Sequence, residues 1–95
     1  MKYFATFYDY APTNPLVSEQ RPAHREFVNS LHEKGLIVGS GPHPDSAGGA
    51  LIILQLDDDA QVADAINIMD DDPFHTSGVV TRRSFREWNP VTKIF

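Results

Sequence analysis

Two short motifs in this chain carry residues suited to proton transfer. Arg21-Pro22-Ala23-His24 stands near the start of one predicted helix, and Asp70-Asp71-Asp72-Pro73-Phe74 at the end of another, about fifty residues later. If the fold joins them, His24 and Asp72 form a histidine-carboxylate pair. An aspartate beside an imidazole orients the ring and stabilises the imidazolium formed when the histidine takes a proton, which is general acid/base chemistry. His24 precedes Phe27, Val28 and Leu31 by three, four and seven positions, so it shares the helical face that packs on a sheet and points inward. By spacing alone such a histidine is more often a satisfied structural residue than a catalyst.

Three aspartates near a helix C-terminus oppose the macrodipole, at a cost of about 0.3–1 kcal/mol each within the last turn. Asp70 and Asp71 read as exposed acids. Asp72 differs because Pro73 disfavours the α conformation before it, which frees the Asp72 carboxylate to turn from the helix axis. Arg21 offers a cation for an anionic substrate group or for a surface ion pair. Tyr8, Pro42 and Phe74 offer walls for a small ring, although strand aromatics also serve as core or interface. Ser40 is a hydroxyl at a strand end, but no Gly-x-Ser-x-Gly elbow makes it a nucleophile, and it reads rather as a turn serine.

The four histidines, His24, His32, His43 and His75, raise the question of metal. No His-x-x-x-His pair occurs, and His24 and His32 are separated by about 12 Å of helix rise, so no metal is assigned. Gly39 and Gly41 precede Pro42 and not a helix, which excludes a dinucleotide fingerprint. Arg82, Arg83 and Arg86 on the last strand read as partners for the abundant aspartates or as solvated charges.

The elements that must position these residues follow from the pattern. Residues 2–9 read as an aromatic-rich strand, ended by Pro12, Asn14 and Pro15. A helix follows over about 19–34, with Ser18 as N-cap, Phe27, Val28 and Leu31 as its apolar stripe, and Gly35 as its stop. In that helix Pro22 is tolerable only in the first turn. Residues 36–42 and 50–56 read as a hairpin. Asp57-Asp58-Asp59 can cap a second helix carrying Val62, Ile66 and Met69, which ends by Pro73, and a fourth strand spans about 79–87.

The order strand, helix, strand, strand, helix, strand is the split βαβ, ferredoxin-like arrangement of α+β class: a four-stranded antiparallel sheet with two helices on one face. Residues 50–56 are nearly continuously apolar, and Tyr3, Phe4, Phe7 and Tyr8 place large aromatics on both sheet faces. A second copy of the chain is the economical cover for the open face, so a homodimer or higher homo-oligomer is expected.

At 95 residues the chain is one small domain, 1–95, burying about 60–65% of its unfolded surface. A net charge of −5 and a pI near 5.1 disfavour partnership with nucleic acid or with an anionic membrane. The absence of cysteine excludes disulfides, thiolate metal sites and thiol catalysis. No apolar run approaches the ~20 residues of a membrane span and the N-terminus does not read as a signal peptide, so a cytoplasmic location is expected by default.

The chain resembles the YciI-like (YCII-related) family of the dimeric α+β barrel group. The resemblance rests on the aromatic first strand, Arg21-Pro22-Ala23-His24, Gly35-Leu36 leading into Gly41-Pro42, Gly48-Gly49, Asp72-Pro73-Phe74, and Lys93 with Phe95 near the end. It implies an enzyme with a histidine-aspartate dyad, carried here onto His24 and Asp72, and one characterised branch removes chloride from a chlorinated hydroxyhydroquinone. The loop of residues 43–49 is shorter than in many members. The expected function is therefore cofactor-independent acid/base catalysis of lyase or isomerase type on a small hydroxylated ring compound. The alternative is a noncatalytic small-ligand-binding or interaction module of the same fold.

Overall fold

Aromatic and aliphatic residues of alternating exposure place β1 and β3 at the centre of the sheet. The computed structural model, which describes residues 1–95, contains β1 (Lys2–Asp9), α1 (Pro15–Glu33), β2 (Ile37–Pro42), β3 (Ala50–Leu56), α2 (Val62–Met69), α3 (Pro73–Thr76) and β4 (Arg82–Trp88). The strands are antiparallel in the order β2-β3-β1-β4, the ferredoxin-like arrangement expected from the pattern. Register pairs Phe4 with Leu54, Thr6 with Ile52 and Tyr8 with Ala50, and all six are buried on the inner face. One core cluster joins the five other than Thr6 to Val17, Val28 and Leu31 of α1, Ala65 and Met69 of α2, and Phe74 of α3, so the three helices share that face. Each Leu or Phe so buried contributes about 1.5–3 kcal/mol.

α1 begins four residues before the expected start. Asn14 is its N-cap, with Oδ1 accepting the Leu16 N–H at 3.0 Å, and Pro15 occupies the first turn, where its missing N–H costs nothing. Ser18 is therefore inside the helix, its hydroxyl bonded to the Pro15 carbonyl, and not a cap. Pro22 lies in the helix interior, contrary to the first-turn condition. Without an N–H it cannot bond the Ser18 carbonyl, and the helix tolerates this because Ser18 is exposed and nineteen residues sustain the rest. At the other end Gly35, at φ +76°, closes the helix: its N–H bonds the His32 carbonyl, and the Leu36 N–H bonds that of Leu31.

α2 departs from the expected cap and stripe. Gln61, not the run Asp57 to Asp59, is the N-cap, and its N–H is bonded by the Asp64 carboxylate at 2.8 Å, a local reciprocal arrangement that a capping run two residues earlier cannot reach. Ala65 and Met69 are the buried pair, whereas Val62 is exposed. Val62 lies on the same face as Met69, two turns away, but it stands at the first position of the helix, at the edge of the packed face, and is exposed there. After Met69 the chain does not simply end at Pro73. It turns and starts the short helix α3, in which Pro73 holds the first position and Asp72 the N-cap.

The outer face of the sheet carries Tyr3, Ala5, Phe7, Leu51, Ile53 and Trp88 by register, and no helix covers it. The chain end packs against one side of this face, with the Phe95 ring edge-on to Tyr3 and the Lys93 ammonium over it. No helix is long and apolar enough to cross a membrane.

Two glycines with positive φ separate backbone strain from crowding. A Cβ at Gly49 (φ +79°) collides with the Tyr8 carbonyl oxygen, whereas one at Gly35 meets nothing within 4 Å. Gly49→Ala is expected to lose about 2 kcal/mol or more, and Gly35→Ala only about 1 kcal/mol. Chemical denaturation of the two variants checks this order, and equal losses would refute it.

Candidate functional site

α1 presents Arg21, His24, Arg25, Val28 and Asn29 along one face, at i, i+3, i+4, i+7 and i+8, and α3 packs against this helix. Between α1, the end of β2 and the start of α3 lies a cleft of about 320 Å³. Its walls come from Val28, Ile52, Pro42 and Phe74, and its polar groups from Tyr10, Arg21, His24, Arg25, Asn29 and Ser40. The volume is at the low end of small-molecule sites, and suits a single ring.

His24 forms the inner boundary of the cleft, with a side chain 14% exposed. Its Nδ1 lies 2.9 Å from both carboxylate oxygens of Asp72, which is itself wholly buried behind it. The imidazole stacks on the Phe74 ring with centroids 4.0 Å apart and planes within 3° of parallel, which holds the ring plane. Asp72 sits where it does because it caps α3: φ −65° and ψ 126° are the extended conformation that Pro73 imposes, and Oδ1 accepts the Phe74 N–H at 3.0 Å. The carboxylate therefore faces a helix N-terminus, a favourable place for negative charge, and not the C-terminal dipole that the spacing suggested.

Tyr8 supplies the third partner. Its hydroxyl donates to Asp72 Oδ2 at 2.7 Å across 64 residues of sequence. Burial, and then the charge of Asp72, push the phenol far above its ordinary range, so it keeps its proton and remains a donor. The Phe74 N–H also can only donate. With both oxygens of Asp72 accepting, the ring nitrogen that faces them carries the proton, and Nε2 is left as the basic nitrogen of His24 at the cleft. Three donors from three elements offset the desolvation of the buried carboxylate.

Of the residues singled out from the sequence, Arg21, His24, Ser40, Pro42 and Phe74 line one cleft, with Asp72 behind His24. Tyr8 does not line it. It is 1% exposed and reaches the site only through Asp72, because even-numbered β1 residues face the core. Asp70 is half-buried and paired with Arg83 at 2.7 Å, so the exposed reading holds for Asp71 and not for Asp70. His32 and His43 are exposed elsewhere, His75 lies 3.8 Å from Asp70, and no three His, Asp or Glu side chains are grouped to hold a metal. The sequence reading missed Tyr10, Arg25 and Asn29. The last two were accessible from helical spacing to His24. Tyr10 lies beyond the strand and joins the cleft only through the turn of the chain. Burial pushes its phenol up, and the nearby Arg21 guanidinium opposes that shift.

No curated protein matches the chain. Among solved structures, it resembles 5-chloro-2-hydroxyhydroquinone dehydrochlorinase (TftG) from Burkholderia phenoliruptrix AC1100, in complex with 2,5-dihydroxybenzoquinone, with a TM-score of 0.74 over 92% of this chain and 93% of that one at 18% identity. That likeness corroborates the ferredoxin-like fold. The sequence profile of the YCII-related domain matches residues 1–89, nearly the whole length. The chain belongs to the YCII-related domain family.

Proposed function

We propose that this protein is a lyase-type enzyme that acts on a small hydroxylated ring compound without a cofactor, with His24 as general base and Asp72 as the residue that orients it. The observation that carries this reading is the division of labour on one imidazole. Nδ1 is held 2.9 Å from a buried carboxylate, while His24 lines a ring-sized cleft with Nε2 not engaged by that carboxylate. The fold likeness to a dehydrochlorinase supports an elimination.

The chemistry needs no oxidant. In a ring tautomer whose leaving group sits on a tetrahedral carbon allylic to an enol, Nε2 takes the enol proton. The O–H electron pair becomes a C=O bond, the C=C bond shifts, and the leaving group departs with the electrons of its bond. The net change is loss of one acid, HX. Asp72 balances the imidazolium formed on His24, and the Phe74 stack keeps the ring from rotating away from the proton.

The same reading includes a homodimer. The outer sheet face exposes Phe7 (41%) and Trp88 (39%) beside Leu51 and Ile53, and a second copy of this face is the self-complementary partner that buries them. Ile53→Asp is expected to convert the dimer to monomer in sedimentation velocity. A wild-type protein that sediments as a monomer at all concentrations would sink this part.

Catalysis is tested by chloride release from 5-chloro-2-hydroxyhydroquinone. His24→Ala is expected to lower turnover by about 10²–10⁴-fold while the fold persists. Asp72→Asn keeps the shape of the side chain but can offer an N–H to Nδ1, and with the tautomer no longer enforced a loss in the same range is expected. Tyr8→Phe removes one hydrogen bond to the carboxylate and costs about tenfold. Undiminished turnover in His24→Ala refutes the assignment, and binding of both this compound and a carboxylated chlorohydroquinone without turnover of either favours a noncatalytic binding module.

A further inference from the structure

The proposed reading leaves two cations of the cleft without a task. Arg21 and Arg25 stand one helical turn apart on the face of α1 that carries His24, and both line the cleft. Neither is within 4.0 Å of any carboxylate, although the chain holds 13 acidic residues against 8 Lys and Arg. None of those acids lines the cleft. In a protein of net charge −5 this is a local reversal of sign, at the one place where a ligand of ring size is walled on its other sides by Val28, Ile52, Pro42 and Phe74. A neutral ring diol offers the two guanidinium groups hydroxyl oxygens but no charge to match, and the one neighbour the fold gives Arg21, the Tyr10 phenol, is neutral as well.

Resting on the assignment of His24 as base, we infer that the substrate of this protein is a hydroxylated ring acid, whose carboxylate docks against Arg21 and Arg25 while a ring hydroxyl faces His24 Nε2. Guanidinium groups match a carboxylate in charge and in planar geometry, and each such hydrogen bond is stronger than one between neutral partners. The carboxylate also orients the ring. With one edge held by α1, the hydroxyl meets the base and the leaving group is turned away from it. Arg21 and Arg25 thus determine which ring compounds are accepted, and His24 what is done to them.

Two probes that differ only by the carboxylate isolate this point: 2,5-dihydroxybenzoate and hydroquinone, titrated anaerobically into the wild-type protein with the His24 ring protons followed by NMR. The expected result is that both move the His24 signals and that the acid binds at least about tenfold more tightly, a preference that shrinks with added salt. Arg25→Gln and Arg21→Gln are each expected to reduce affinity for the acid several-fold more than that for hydroquinone, so that the preference for the acid shrinks. Equal affinities for the two probes, or a preference untouched by both substitutions, overturn the inference while leaving the role of His24 intact. If neither probe moves the His24 signals, the cleft is not a site for such rings, and the broader reading falls with the inference.

Discussion

The buried carboxylate of Asp72 is the constraint on which the site depends. A charge with no solvent exposure is tolerable only if its oxygens are occupied, and here the occupants come from three places: the Tyr8 hydroxyl on β1, the Phe74 N–H at the start of α3, and His24 Nδ1 on α1. Each partner is placed by a different part of the fold, so the carboxylate ties sheet, long helix and short helix to one another. It also sets the state of the imidazole, because an acceptor on one ring nitrogen leaves the other basic. Local geometry and chemistry are in this sense one problem.

The core that excludes water from the space between sheet and helices is tightly closed. Phe4, Ile52, Leu54, Met69 and Val79 are each within 1% of complete burial, and they close the space between sheet and helices. Gly49 lets the entry to β3 approach the Tyr8 carbonyl where no side chain fits, which seats β3 against the strand that carries the phenol. α3 is only four residues long, yet it supplies the cap N–H, the stacking ring and the change of direction after α2. The motif Asp72-Pro73-Phe74 is thus a structural unit as much as a chemical one: Pro73 sets the backbone, Asp72 caps it, and Phe74 holds His24 in plane.

Strand signals are local, so three strands fall close to their expected bounds, whereas β4 begins at Arg82, three residues after the expected 79. Residues 50–56 form β3 with the expected bounds, and Gly35 ends α1 as its position after the apolar stripe implied. The misreadings arose where two local signals competed. Ser18 has the chemistry of a cap, but Asn14-Pro15 upstream offers both a side-chain acceptor and a pre-set φ, and the helix starts there in spite of the proline at position 22. Asp57 to Asp59 looked like a cap for α2, but Gln61 and Asp64 satisfied the helix end at closer range. Asp72 has the extended backbone that Pro73 implies, while its electrostatic setting is the reverse of the one expected, since a helix of four residues leaves almost no periodic trace.

From the sequence alone came the ferredoxin-like order of elements, the inward direction of His24, the extended backbone of Asp72 and the membership of five named residues in a prospective site. Hydrophobic spacing, proline sterics and glycine at a helix stop act within a few residues, so they can be read along the chain. Only the tertiary structure decided that Tyr8 serves Asp72 and not the cleft, that Arg25 and Asn29 join Arg21 beside the histidine, and that Nε2 is the nitrogen left free. Those facts depend on which groups meet across as many as 64 residues. A hydrogen bond of that span is set by the packing of the sheet against α1 and α3, and by the cost of leaving a buried carboxylate unpaired.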